Sequence, residues 1–388
     1  MEFAFTPDEE AFRQEVRAFL QEELTGHDIE RGGSPDRWQA YRGFIKKLAD
    51  RGWLTLAWPK EWGGQGASHM KQLVYNEEVA YQEAPANDMG SDRVGPTIML
   101  YGTEEQKQRY LPSIVRGEAV WCQGFSEPGS GSDLASLQTK AVQDGDEFVI
   151  NGSKIWTSLA HLAQRMILLA RTDPDAPKHK GLSYFLLDMD TPGVTIRPLV
   201  DMLGRHQFNQ VFFDNVRVPR DCLLGELNRG WYVATSTLDF ERSGIQRVIG
   251  SMRNYERLLQ YARETLRDGR PLIERPQIRH RLAELKIEFE VGRILAYRVA
   301  WMQGQRLVPN YEASVSKLYG SGLAQRLAGA GVRILGLAGQ LAPGSPYAPL
   351  QGSFETLYLS AAALTVAAGT SEVQRNIIAT RGLGLPRD

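Results

Sequence analysis

Apolar residues in the first hundred positions recur at helical spacing. Thr6-Pro7-Asp8-Glu9 makes a capping box with proline at the first helical position. Phe12, Val16, Phe19 and Leu20 follow on one face, which predicts an amphipathic helix. The run Trp58-Pro-Lys-Glu-Trp-Gly-Gly-Gln-Gly66 cannot continue a helix and predicts a loop. From about residue 121 to 224 the pattern changes to short β segments. Segments at 147–150, 153–158, 166–171, 183–188, 194–199 and 210–218 predict strands, with Asn151-Gly152 as a type I′ hairpin turn between the first two. Spacers such as Asp173-Pro-Asp-Ala-Pro177 and Asp190-Thr-Pro-Gly193 suit a compact antiparallel sheet or barrel. After Gly230 helical periodicity returns over 231–267, 276–304, 310–339 and 353–381, as in a four-helix bundle. The expected architecture is α+β: an N-terminal helical domain (1–120), a middle antiparallel β domain (121–230) and a C-terminal four-helix bundle (231–388).

Composition narrows the class. At 388 residues the chain exceeds one ordinary core, and 42% hydrophobic with 23% charged residues is the balance of a folded protein. Lys plus Arg total 45 against 46 for Asp plus Glu, so no basic field points to nucleic acid or to an anionic membrane. No apolar run approaches the roughly 20 residues that span a bilayer. The first ten residues carry neither a basic nor an apolar leader region, so a cytoplasmic location is expected. Cys122 and Cys222 are far apart, and His27, His69, His161, His179, His206 and His280 show no ligand spacing, so neither a disulfide nor a metal is expected.

The segment Gly124-Phe-Ser-Glu-Pro-Gly-Ser-Gly-Ser-Asp133 concentrates glycines, hydroxyls and two carboxylates. Such a loop can offer N–H groups and hydroxyls to a phosphate or a polar cofactor edge, although composition alone favours a surface turn. Together with Asn151-Gly-Ser-Lys-Ile-Trp156-Thr-Ser158, it resembles the paired signatures of the acyl-CoA dehydrogenase family. The resemblance covers nearly the whole chain. It includes Tyr101-Gly-Thr-Glu-Glu-Gln-Lys107, Phe213-Asp-Asn-Val-Arg-Val-Pro219 and Ala368-Gly-Thr-Ser-Glu-Val-Gln-Arg375.

The resemblance implies FAD held between the β domain, the bundle and a neighbouring subunit. Phe125, Ser126, Trp156 and Ser158 would meet the flavin ring, with the Trp156 indole on the face away from substrate. Thr370 and Glu372 match further cofactor contacts. Ser132 matches a position touching the thioester ligand, and Asp239 and Arg242 match positions lining the CoA arm and the acyl site. Many members carry their catalytic glutamate immediately before the C-terminal Gly-Thr, but here that position is Ala368. An alanine cannot abstract a proton, though its main-chain N–H remains available to a thioester oxyanion.

Isovaleryl-CoA and long-chain acyl-CoA dehydrogenases take the base instead from a bundle helix, directly before an arginine. Leu238-Asp-Phe-Glu-Arg242 is similar to that segment and makes Glu241 the candidate. Leu238, Ile245, Ile249 and Met252 form one apolar stripe at helical spacing, with Glu241 and Arg242 on its margins, so a partly buried charged pair is expected. The implied reaction is α,β-dehydrogenation of an acyl-CoA to the trans-2-enoyl-CoA, with electrons passed to an electron-transfer flavoprotein.

Three departures qualify the resemblance. Where members commonly have Arg-x-x-Phe-Gly on a bundle helix, this chain has Thr265-Leu-Arg-Asp-Gly269; on a helix, Arg267 would face another direction. Arg333 stands where a cofactor-contacting glutamine is common, and a long loop follows Gly339. This combination is similar to a bacterial branch that includes steroid side-chain dehydrogenases and α2β2 heterotetramers. The expected assembly is a homotetramer with an altered FAD site, or an α2β2 heterotetramer whose other subunit completes it. The rivals are a catalytically silent subunit and a flavin oxidase or monooxygenase on the same fold. Gly329-Ala-Gly331 with Gly336 half resembles a dinucleotide fingerprint but follows a predicted helix rather than a strand, so no NAD site is expected.

Overall fold

A computed structural model of the chain describes residues 4–25, 29, 34–86, 88–242 and 244–386, with the side chains of residues 239–242 outside the description. The helices of the first third are α1 (Pro7–Leu24), α2 (Pro35–Asp50), α3 (His69–Tyr81), α4 (Gly95–Tyr101) and α5 (Glu104–Val115). Eight strands follow: β1 (Trp121–Gly124), β2 (Lys140–Asp144), β3 (Glu147–Lys154), β4 (Arg165–Arg171), β5 (Leu182–Asp188), β6 (Val194–Val200), β7 (His206–Pro219) and β8 (Leu223–Leu224). The remainder is α6 (Gly230–Arg242), α7 (Gln246–Ile249), α8 (Met252–Glu264), the short hairpin β9 (Leu266–Arg267) and β10 (Arg270–Pro271), then α9 (Pro276–Gly304), α10 (Tyr311–Leu335), α11 (Ser353–Leu364) and α12 (Ser371–Ile377). Thr6 caps α1 as expected: its hydroxyl accepts from the Glu9 N–H while the Glu9 carboxylate receives the Thr6 N–H, and the predicted apolar face is buried.

The chain divides into two compact units, one comprising Gly26–Ala67 and Pro85–Glu241, the other Met1–Thr25, Ser68–Ala84 and Arg242–Asp388. In the first, one sheet runs in the order β6-β7-β3-β2-β4-β5-β8, with β1 alongside β4. Its pairings are antiparallel except β1 with β4 and β2 with β4. Both faces are covered, which explains why β4 reads as a continuous apolar run. Ile167 and Leu169 join a cluster with α4, α5 and α6, whereas Met166, Leu168 and Ala170 join one with Phe148, Phe185 and Val216.

In the second unit the core is helical. Leu73 of α3, Ile249 of α7, Leu258 of α8, Phe289 of α9, Leu327 of α10 and Phe354 of α11 share one cluster. Gly331 lets α10 approach α11, because a Cβ there would lie 1.9 Å from the Phe354 ring. A buried ion network ties α1 to α3: Arg13 reaches Glu77 at 2.7 Å and Glu78 at 3.0 Å, and the Tyr297 hydroxyl of α9 donates to Glu77 at 2.8 Å.

Four sequence expectations change. Asn151-Gly152 is not a hairpin turn, since β3 runs through it and the turn is made at Gly145 (φ 63°) and Asp146, after a strand, β2, that the pattern did not predict. Gly152 instead sits at a bulge opposite β7, where a Cβ would come within 2.6 Å of Thr139. The predicted helix 231–267 is three helices, and 353–381 breaks between α11 and α12. The apolar stripe is therefore split: Leu238 packs on the core of the sheet unit, while Ile245, Ile249 and Met252 belong to the helical core. Finally, residues 265–269 are not helical. They lead into the β9–β10 hairpin, where Asp268 (φ 58°) and Gly269 (φ 76°) form the turn and Arg267 pairs with Arg270.

Candidate functional site

In the sheet unit, two sequence segments about 30 residues apart become one structure. The Glu127 to Ser130 turn closes through reciprocal main-chain bonds of 2.8 and 3.0 Å. Behind it lies Lys154, the last residue of β3, with its side chain fully buried. Its ammonium donates to the Phe125 carbonyl at 3.0 Å and to Glu127 Oε1 at 2.8 Å. Glu127 also accepts the N–H groups of Gln138 at 2.6 Å and Thr139 at 2.8 Å, and the Ile155 N–H donates to the Ser126 carbonyl at 2.8 Å.

Burial opposes charge on both partners. It pulls the Lys154 pKa down to about 8, against the pull of Glu127. On Glu127 the lysine and the backbone donors outweigh burial and hold the carboxyl below its ordinary range. The pair is thus ionic near neutral pH. Glu127 is a staple of the loop rather than a free carboxylate, and Ser130 likewise turns inward to the carbonyl of Asp133 at 2.9 Å. Asp133 points outward to Lys178, Ser132 is exposed, and nothing lies within 4 Å of a Cβ built on Gly129 or Gly131.

The staple leads directly into Trp156. This residue is left-handed (φ 59°) and 61% exposed, with its indole edge-on to Phe208 at 5.9 Å. A core tryptophan would be covered. Reciprocal main-chain bonds between Thr157 and Asn209 hold the turn, and the Asn209 amide adds a third to the Thr157 carbonyl at 3.0 Å. The same Nδ2 also donates to His161 Nδ1 and the amide Oδ1 accepts from His206 Nε2, so the amide bridges the two stacked imidazoles. Ser158 is half-buried. Phe125 is buried edge-on to Tyr184, so its side chain serves the core and its main chain faces the loop.

Main-chain geometry places Glu241 in the last turn of α6, but the side chains of Asp239, Glu241 and Arg242 lie outside the described residues. The helix is anchored one turn earlier, where the buried Thr237 hydroxyl meets Thr97 at 3.0 Å and the Tyr184 hydroxyl at 3.3 Å.

In the helical unit, Ala368 (φ 57°) and Gly369 (φ 87°) form a left-handed turn before α12. Thr370 caps that helix, its hydroxyl accepting the Val373 N–H at 3.2 Å. Glu372 is exposed and reaches Arg375 at 3.4 Å. Behind the turn, the buried Lys317 ammonium donates to the Gly369 carbonyl at 2.6 Å, and the buried Gln374 amide donates to the Ala368 carbonyl at 3.0 Å. Sequence reasoning missed Lys154, Asn209, Lys317 and Gln374. For Lys317 a signal existed, since it shares a stretch of α10 with Ala313, Ser314, Ser316 and Gly320, residues small enough to be a packed face. Arg333 lines a groove of about 550 Å³ together with Arg281, Arg326 and Arg375.

Among the described residues no helix is long and apolar enough to cross a membrane. Three family profiles match the chain: "Acyl-CoA dehydrogenase, N-terminal domain" over residues 6–118, the middle domain over 122–216 and the C-terminal domain over 228–383. The acyl-CoA dehydrogenase IpdE1 of Mycobacterium tuberculosis is 40% identical over 391 residues, covering 98% of this chain and 99% of the relative. Among solved structures, a steroid ACAD is 37% identical with a TM-score of 0.91, covering all of both chains. The ChsE4-ChsE5 complex of Mycobacterium tuberculosis gives 36% identity and a TM-score of 0.89, again over all of both chains.

Proposed function

Because this chain belongs to the acyl-CoA dehydrogenase family and is an oxidoreductase of that kind, we propose that it binds FAD and removes the α and β hydrogens of an acyl-CoA, with Glu241 as base. The observation that carries the cofactor assignment is the exposed Trp156 indole on a left-handed turn stapled to the glycine loop. A flat apolar face left open beside unfilled glycines suits an isoalloxazine ring and a polar cofactor edge. Phe125 and Ser126 contribute main-chain atoms, Ser158 a hydroxyl, and Thr370 and Glu372 the polar contacts beyond the Gly-Thr turn. FAD, when bound, would supply the acceptor for the β-hydride. The electron-transfer flavoprotein is the proposed acceptor beyond it.

Within the chain, Glu241 takes the α-proton. The main chain of residue 241 lies in the last turn of α6. Ala368 gives no side chain to the chemistry but offers its N–H to the thioester oxygen. Ser132, Asp239 and Arg242 line the substrate. The three-part division at about residues 120 and 230 belongs to this reading, and the family matches support it.

The altered 265–269 segment supports a second reading, in which the chain shares an FAD site with a different subunit. Exposed Ile287, Val291 and Ile294 on α9 leave an apolar stripe that suits assembly, as a homotetramer or an α2β2 heterotetramer. The heteromeric ChsE4-ChsE5 complex and the steroid ACAD favour the α2β2 form and a bulky, polycyclic acyl group. The test is anaerobic bleaching of bound FAD by straight, branched and steroid CoA thioesters, with Glu241→Gln as control. Retained FAD without bleaching in that variant supports the base, and undiminished bleaching removes it. Flavin stoichiometry and mass of the chain expressed alone separate the two assemblies, and rapid peroxide formation on mixing reduced enzyme with oxygen would favour an oxidase.

A further inference from the structure

We propose that Lys317 is the positioning residue of the Ala368–Gly369 turn, directing the N–H groups of Gly369 and Thr370 to the thioester oxygen beside that of Ala368; this rests on the dehydrogenase reading above. Two consecutive left-handed residues, one of them an alanine, do not hold themselves in place. They are held from behind. Gln374 Nε2 lies 3.0 Å from the Ala368 carbonyl and 3.4 Å from that of Gly369, and Lys317 Nζ lies 2.6 Å from the Gly369 carbonyl. Both side chains are fully buried.

In a trans peptide the carbonyl and the following N–H point in opposite directions. Tethering the carbonyls of Ala368 and Gly369 inward therefore turns the N–H groups of Gly369 and Thr370 outward. No hydrogen bond among the described residues uses the N–H of Ala368, Gly369 or Thr370, whereas the Ser371 N–H is taken by Thr365 and that of Gln374 by Thr370. Successive free N–H groups on a left-handed turn form a concavity for negative charge. A buried ammonium behind the second peptide polarises it further and favours an oxyanion on the far side. Lys317 touches neither substrate nor cofactor in this account. It acts through the peptide.

The test uses the purified assembly with its FAD. Lys317→Met removes the donor, and Lys317→Gln restores a neutral one. We expect Lys317→Met to retain FAD while the rate constant of flavin reduction falls about 10- to 100-fold, below the loss for deleting a direct oxyanion donor, with substrate affinity changed less than about threefold. The carbonyl stretch of a bound, ¹³C-labelled 2-enoyl-CoA, the counterpart of the thioester that bleaches wild type fastest, should shift toward its value in water. Lys317→Gln should recover part of both. Should Lys317→Met fail to fold, Lys317→Gln alone carries the comparison. Wild-type rate and frequency in a folded variant overturn the proposal. If wild type itself bleaches with no thioester, it is the dehydrogenase reading that fails instead.

Discussion

Replacing Lys154 with methionine removes one charge from a pair that is closed to solvent on both sides, with side-chain exposures of 0% and 8%. Breaking a buried pair by deleting one partner typically costs about 3–5 kcal/mol, because the other charge stays buried. The two partners differ in what they retain. After Lys154→Met, Glu127 still accepts two N–H groups at 2.6 and 2.8 Å, which puts the expected loss near 3 kcal/mol. After Glu127→Gln, the ammonium keeps the Phe125 carbonyl at 3.0 Å, and the loss is expected near 5 kcal/mol. The double variant has no buried charge, so it should cost about 5 kcal/mol rather than the sum, a coupling of about 3 kcal/mol. Urea unfolding of all four proteins, followed by tryptophan fluorescence and by FAD release, measures this. Because the same ammonium fixes the Phe125 carbonyl beside the proposed flavin contacts, Lys154→Met should also weaken FAD binding. Additive losses, or single losses below about 1 kcal/mol, would refute the argument.

Trp156→Ala should leave stability within about 0.5 kcal/mol of wild type, since the indole is mostly exposed, yet reduce FAD retention on gel filtration. Gly331→Ala should destabilise the helical unit by about 1–3 kcal/mol or more in thermal unfolding, because its Cβ overlaps the buried Phe354 ring. Burial and then His206 lower the His161 pKa from its ordinary 6.5, and the Asn209 amide needs the imidazole Nδ1 unprotonated. The folded value lies below the unfolded one, so this contribution to stability is present above about 6.5 and lost as pH falls through the folded value. The thermal midpoint should therefore drop on acidification below that pH more in wild type than in His161→Gln. Arg13→Met should cost about 3 kcal/mol, the low end for breaking a buried pair, because Glu77 loses its cation but keeps the Tyr297 hydroxyl while Glu78 keeps Arg17, read by the same unfolding assay.

Local patterns were legible wherever one core served one element. The capping box and apolar face of α1 and the strand segments predicted for β4 through β7 survive into the structure. Asn151-Gly152 misled because turn propensity is local, while the strand that pairs with β3 uses Gly145 to reverse direction and leaves the asparagine to bond Asn215 across a bulge. The stripe from Leu238 to Met252 misled for a related reason. Periodicity records that residues are buried, not in which core, and here the chain passes from one core to the other within it.

The candidate site divides the same way. Through its resemblance to the acyl-CoA dehydrogenase family, the amino-acid order nominated the glycine loop, Trp156, the Gly-Thr turn with its missing glutamate, and Glu241 as candidates, because the family's motifs are residue types at fixed local spacing. It could not pair Lys154 with Glu127, 27 positions away, or Lys317 with Gly369, 52 positions away. A lysine reads as a surface residue until folding removes water from around it. Only packing creates the low-dielectric setting in which an ammonium must find a carboxylate or a carbonyl, and so only the tertiary structure decided which partners hold these two candidate turns in place.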